Sequence, residues 1–418
     1  MSQSMAFRRH VPGLAILLNL LLPAMARAAD PVVQVEPLVT REAILAFIEL
    51  LGMDREQRGV VEMTFSLYEA DASALAQRTV EAQRAAGADR LDEARAGRAL
   101  LDPAEVRRLR VAVKETERGA WASADALFEG LLSDIEILID PTLAARSAQG
   151  FALLRRNAML APRRLASWDS GYAGEGMDLV ALVAEARSAG AELAAADENA
   201  LTAILGPYAQ SLDAHLRQTW TEDREGRYQL AVARIERATD RVREEELEAI
   251  ERWRAPFELN RSTAAAIGAV AQQAGGPAAA IAWQRRVDRA AFPWLYAGAR
   301  PERQVAWIRA STVGNEVKSR AEQALVTYQA ASDGVRQEAI SLLVRARVEG
   351  RFIMGSEVDL AALPDRTAQD LYRELLQNSG RRAKLDDQAA AEIAAMLEDR
   401  IRAQMNADLA ASAFGRRR

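Results

Sequence analysis

The chain has no cysteine and only two histidines in 418 residues. Without a thiol there can be no disulfide, no cysteine nucleophile and no Cys/His zinc set, so packing alone must hold the fold. His10 lies in an N-terminal stretch that reads as a leader, which leaves His215 as the single histidine of the remainder. That excludes an HExxH metal pair, and a Ser–His–Asp triad would have to be built on His215. His215 borders the helical face of Tyr208, Leu212 and Leu216, the position of a packing residue. Lysine occurs only at Lys114, Lys318 and Lys384, so nearly all positive charge is arginine. No apolar run after residue 30 is long enough to cross a bilayer, and mean hydropathy is −0.15, which argues against an integral membrane protein. No segment sustains period-two alternation, so no sheet is expected.

The longest apolar run is Leu14 to Leu22, preceded by Arg8 and Arg9 and followed by Ala24, Ala26 and Ala28. A short positive region, an apolar core and small residues in A-x-A spacing read as a secretory signal peptide over residues 1–28, cleaved near Ala28. The mature chain is then expected in the periplasm or secreted. Losing Arg8, Arg9 and Arg27 takes the net charge from −5 to −8. So acidic a chain is a poor partner for nucleic acid.

The remainder reads as all-α: an extended multi-helix bundle with two helical halves joined by a long spine helix. Residues 29–39 form an extended lead-in and 40–206 an N-terminal helical half. Residues 207–254 form a connecting helix, and 255–418 a C-terminal half ending in the basic tail Arg416 to Arg418. Pro207 and Pro256 bracket the connector, and a single helix from Tyr208 to Arg254 would run about 70 Å. It carries only a thin apolar stripe, Tyr228, Val232, Ile235, Val242, Ala249, Ile250 and Trp253, as expected of a spine with one packed face. Thr40, Asp54, Asp102 and Asp197 stand where helix caps belong, and Asp102-Pro103-Ala104-Glu105 joins a cap, a first-turn proline and an N3 acid. Gly275-Gly276-Pro277 marks a break. Ala255-Pro256-Phe257 reads as a corner, and the last helix is expected to start around Asp386. Val61, Phe65 and Tyr68 resemble Ala321, Leu325 and Tyr328 in spacing, a weak internal repeat.

Chemistry is sparse. The acids Asp169 to Glu175 lack calcium-loop spacing, and Gly171, Gly174 and Gly176 neither follow a strand nor carry the Lys-Ser/Thr of a phosphate loop. Glu244 to Glu246 read as solvated helix surface. The best candidate partner surface is the tryptophan-rich segment 283–307, with Trp283, Arg286, Trp294 and Trp307, because aromatics beside arginines suit amphipathic recognition. Trp283, Val287 and Ala291 also fall at the helical spacing of core residues.

Leu51-Gly52-Met53-Asp54-Arg55-Glu56-Gln57 resembles the LTxxQ-type motif of the Spy/CpxP-like exported stress proteins, with Met53 and Asp54 where that family has Leu and Thr. Leu385-Asp386-Asp387-Gln388 is a looser echo. The resemblance spans a few dozen residues and implies an all-helical, ATP-independent chaperone or stress sensor. Its physical content is a helix–loop–helix junction in which Leu51 anchors, Asp54 caps and Gln57 reaches back. The expected function is therefore that of an exported, non-enzymatic binding or chaperone-like protein. It would need no metal or cofactor, would engage a protein partner or unfolded client, and could self-associate. An envelope scaffold is the alternative, and a carboxylate-dependent helical hydrolase or lyase ranks below both.

Overall fold

A computed structural model describes residues 38–164, 174–296, 298–349 and 366–415. The leader, most of the lead-in, most of the 167–176 segment and the Arg416–Arg418 tail lie outside the described residues. Within them the chain is all-α, with fourteen helices and no strand.

The N-terminal helices follow their caps. Thr40 accepts from Ala43 N–H to open α1 (Arg41–Leu51), and Gly52, at φ 65°, closes it. Asp54 accepts from Glu56 and Gln57 N–H, and Gln57 returns a bond to Asp54 N–H, completing the capping box of α2 (Arg55–Ala85). The short α3 (Ala88–Arg95) sits between two left-handed glycines, Gly87 and Gly97. Asp102 then caps α4 (Pro103–Leu138), which lies along α2. Pro141 opens a single 3-10 turn that leads into α5 (Ala144–Arg164).

The remaining helices are α6 (Leu179–Ser188), α7 (Glu198–Glu236), α8 (Thr239–Arg252), α9 (Arg254–Ala291), α10 (Pro293–Tyr296), α11 (Arg300–Ala310), α12 (Asn315–Val348), α13 (Arg366–Ala395) and α14 (Asp399–Gly415). The expected break within α9 is present at Gly276, where φ is 72° and ψ −170°.

The chain forms two compact units. The first comprises residues up to Leu154 together with Arg227–Val242. Its core gathers Phe47, Val61, Phe65, Tyr68, Phe128, Leu131 and Ile135. The second comprises Arg155–Gly226 and Arg243 onward. Its main core joins Leu160, Leu179, Val183, Leu193 and Leu201 to Trp253, Phe257, Ile267, Trp283 and Leu343. A second cluster gathers Val305, Ile308, Ala321, Leu325, Tyr328, Ile393 and Met405.

Four expectations are corrected. The spine is two helices, not one. Helix α7 starts at its Asp197 cap and runs straight through Pro207. It ends where Arg237 turns left-handed (φ 57°), with Arg237 N–H bonding Arg234 O and Ala238 N–H bonding Ala233 O. This is a Schellman closure with arginine in the glycine position. The thin apolar stripe is divided with it, since Val232 and Ile235 belong to the first unit, and Ile250 and Trp253 to the second. Next, the boundary between halves does not fall at 206/255, because Leu160, Leu179, Val183, Leu193 and Leu201 share one core with the C-terminal helices. The corner near Pro256 sits at Trp253 instead, with Pro256 in the first turn of α9, where a missing N–H costs no helical bond. Finally, Asp386 is in mid-helix; the last helix begins at Asp399, so the echo at Leu385–Gln388 is no junction.

Candidate functional site

The tryptophan-rich segment does not form one surface. Trp283 is wholly buried and its indole N–H donates to Ala264 O at 2.9 Å, a core anchor in α9. Arg286 is tied to Glu192 and Glu185. Trp294 is partly buried, edge-on to Phe292 at 5.7 Å. Trp307 packs on the second cluster and donates to Asp408 at 2.9 Å. Trp283 is therefore core, while Trp294 and Trp307 pack against two different clusters and each keeps part of its ring exposed. Leu51, Asp54 and Gln57 do form the expected junction.

Exposed apolar surface is instead found on α2. Its core face carries Val61, Phe65, Tyr68, Ala72 and Leu75. On the far side Val60, Met63, Leu67, Ala70 and Ala74 recur at three- and four-residue steps, with Met63 62% and Leu67 65% exposed. A helix apolar on two faces exceeds what its own core requires. Both methyl-rich side chains could have been found from the sequence, since the second stripe has heptad spacing. The first stripe obscured it.

The second unit holds two buried polar centres that sequence reading missed. The first locks residues 174–178 in place. Gly174, at φ 98°, offers its carbonyl to Asn260 Nδ2 at 2.9 Å, and a Cβ there would lie 2.8 Å from that of Ala291. Glu175 pairs with Arg347 at 2.7 Å, both almost fully buried. Tyr208 accepts from Leu179 N–H and donates to Asn260 Oδ1 at 2.8 Å. Arg156 grips Asp178 at 3.1 Å and Asp213 at 2.9 Å, while Asp178 also caps α6. Burial opposes the Arg156 charge, and the two carboxylates more than offset it, so its pKa rises. Burial also pushes the Asp213 carboxyl up, partly countered by Arg156. Such a centre orders a turn: Asn260, Tyr208 and Arg156 each donate to an acceptor within the fold.

The second centre lies where α9, α10, α12 and α13 meet. Asp288 accepts from Gln284 at 2.8 Å and Gln337 at 2.6 Å. Arg336 donates to Leu295 O at 3.0 Å and lies near Asp333 and Glu302. The Tyr296 ring lies under both Arg289 and Arg336, at 5.7 and 5.0 Å. Tyr328 donates to Asp386 at 2.6 Å. Burial raises the pKa of both Tyr296 and Tyr328, with neighbouring carboxylates adding to it, so at neutral pH both are donors rather than bases.

His215 lies edge-on to Trp253 at 5.7 Å, and Trp253 donates to Asp223 at 2.7 Å. Glu246, expected on a solvated surface, is buried. Its neighbours in α8 turn the acid inward on the face that also buries Ile250. Among the described residues no three His, Asp or Glu side chains gather as a metal set, and no helix is long and apolar enough to cross a membrane. No protein-family model, curated protein or solved structure matches the chain.

Proposed function

We propose that this is an exported, non-enzymatic binding protein of chaperone-like type that holds apolar segments of non-native polypeptide on the outer face of α2. The observation that carries this reading is the second apolar stripe, Val60 to Ala74, with Met63, Leu67 and Ala70 exposed between half-buried ends, on a helix whose opposite face already fills a core. Contiguous exposed apolar surface marks interaction sites. Methionine at its centre suits varied partners because its unbranched side chain adapts to different shapes. Arg55 and Arg58 at one end, with Glu69 and Asp71 beyond Met63, give the stripe a mixed-sign polar rim. The leader sequence supports an address outside the cytoplasm, where ATP-independent holding is the available mode.

The test is aggregation of a thermally unfolded client, followed by light scattering without ATP. The mature protein should suppress it at near-stoichiometric ratio, and Met63→Gln/Leu67→Gln should lose most of that suppression while keeping its helical circular dichroism. Full suppression by the double variant, or none by the parent across several clients, would remove this reading.

A further inference from the structure

The exposed stripe of α2 is symmetric about Leu67. Val60 lies seven residues before it and Ala74 seven after, while Met63 lies four before and Ala70 three after. Glu56 and Arg78, each eleven residues away, end the line with opposite charges. Steps of seven and eleven residues return a side chain to within about 20° of the same direction on an α-helix, so these charges share the face of the stripe. Both are exposed, and neither makes an ion pair among the described residues, whereas Glu69 and Arg84 of the same helix pair with Arg41 and Asp89.

One shoulder of the stripe is built of small residues. Gly59, Ser66 and Ser73 stand there at seven-residue steps, all exposed, and a Cβ on Gly59 would meet nothing within 4 Å. Glycine inside a helix costs about 1 kcal/mol relative to alanine, and no contact among the described residues calls for one at this position.

The charges select between two ways of pairing this helix with a copy of itself. In parallel register Glu56 would meet Glu56 and Arg78 would meet Arg78, like charges at both ends. Turned antiparallel about Leu67, Glu56 comes level with Arg78 of the second copy and Val60 with its Ala74. Met63 falls within one residue of its Ala70. The larger side chains then meet alanine everywhere except at the centre, and each contact occurs twice, as an isologous interface requires.

We propose that the outer face of α2 is a self-association surface, on which a second copy of this chain docks its own α2 antiparallel across a two-fold axis at Leu67. The Gly59, Ser66 and Ser73 shoulder lets the two backbones approach closely. A single pair of helices buries less than the roughly 1,200 Å² at the low end of stable interfaces, so the dimer is weak and exchanges readily. It covers the face proposed for clients and to that extent rests on that reading: the dimer is the resting form, and a client displaces the second copy.

The experiment follows sedimentation of the full mature chain, without client, across the micromolar range. A reversible monomer–dimer equilibrium is expected. Leu67→Asp, at a side chain 65% exposed, should abolish the dimer and leave helical circular dichroism unchanged. Glu56→Arg or Arg78→Glu alone should weaken association about tenfold, and the two together should restore it. Since the chain has no cysteine, Val60→Cys chains mixed with Ala74→Cys chains report the direction of pairing. Under mild oxidation the mixed disulfide should form in preference to either like pair. A monomer throughout, a dimer indifferent to Leu67→Asp, no rescue by the double charge swap, or preference for like pairs overturns the proposal. The two readings fail separately. A monomer that still suppresses client aggregation leaves the stripe to clients and refutes the dimer, whereas a dimer whose parent chain suppresses none refutes client holding alone.

Discussion

The Arg156 centre makes the sharpest stability prediction. The Arg156 side chain is 3% exposed, that of Asp178 0% and that of Asp213 18%. Arg156→Met keeps most of the volume and removes the cation, which leaves the fully buried Asp178 carboxyl without its partner. Removing one partner of a buried ion pair costs about 3–5 kcal/mol. For a body the size of the second unit that corresponds to a fall of about 10 °C in its transition. Adding Asp178→Asn takes away the stranded carboxyl and keeps an oxygen to cap Val180 N–H. The double variant should therefore recover part of the loss, an interaction outside simple additivity. The pH response follows from Asp213. Its folded pKa is already raised by burial, and losing Arg156 removes its main opposing influence. A carboxyl with a raised folded pKa binds its proton more tightly when folded, so the variant should regain stability as pH falls from neutral toward the ordinary carboxylate range. Urea unfolding followed by tryptophan emission reads this unit, because Trp253 and Trp283 are buried in it. Equal instability of single and double variants at every pH would refute the electrostatic reasoning.

Other expectations are local. Asp54→Ala should cost the first unit about 1 kcal/mol through loss of the α2 cap, measured by chemical denaturation. Gly150→Ala would place a Cβ 2.6 Å from the Phe47 ring, itself fully buried, and should cost about 1–3 kcal/mol in the same assay. Arg237→Gly relieves a left-handed arginine and should stabilise by about 1 kcal/mol; a loss instead would mean that its side chain is needed. The Arg286 hydrogen bond holds Glu192 below its ordinary pKa, so its contribution is present above about pH 4.5 and fades as pH falls through the lower folded value. Thermal midpoints of Glu192→Gln should show less acid sensitivity than the parent.

Helix positions were readable because their causes are local. Asp54, Asp102, Asp197 and Gly52 do in the fold what caps and stops do in any helix. The break at Gly276 is equally local, since a residue at φ 72° ahead of proline is a glycine's work. The repeat Val61–Tyr68 and Ala321–Tyr328 was legible as spacing, but not as use. Tyr68 accepts from Leu38 and Val39 N–H, whereas Tyr328 donates to Asp386.

The candidate site was far less legible. Trp283 and Met63 carry the same helical signal, apolar at regular steps, and only the presence of a neighbour decides which becomes core and which stays wet. The Arg156 centre was hidden for the same reason, since Asp178 and Asp213 are brought to that arginine from 22 and 57 residues away. Composition and periodicity determined the all-α class, the caps and the exclusion of cysteine and multi-histidine chemistry, since these depend on residue type and on interactions within one turn. The tertiary structure decided the two units, the division of the spine at Arg237 and the exposure of α2. Those outcomes depend on which distant surfaces remove one another from water.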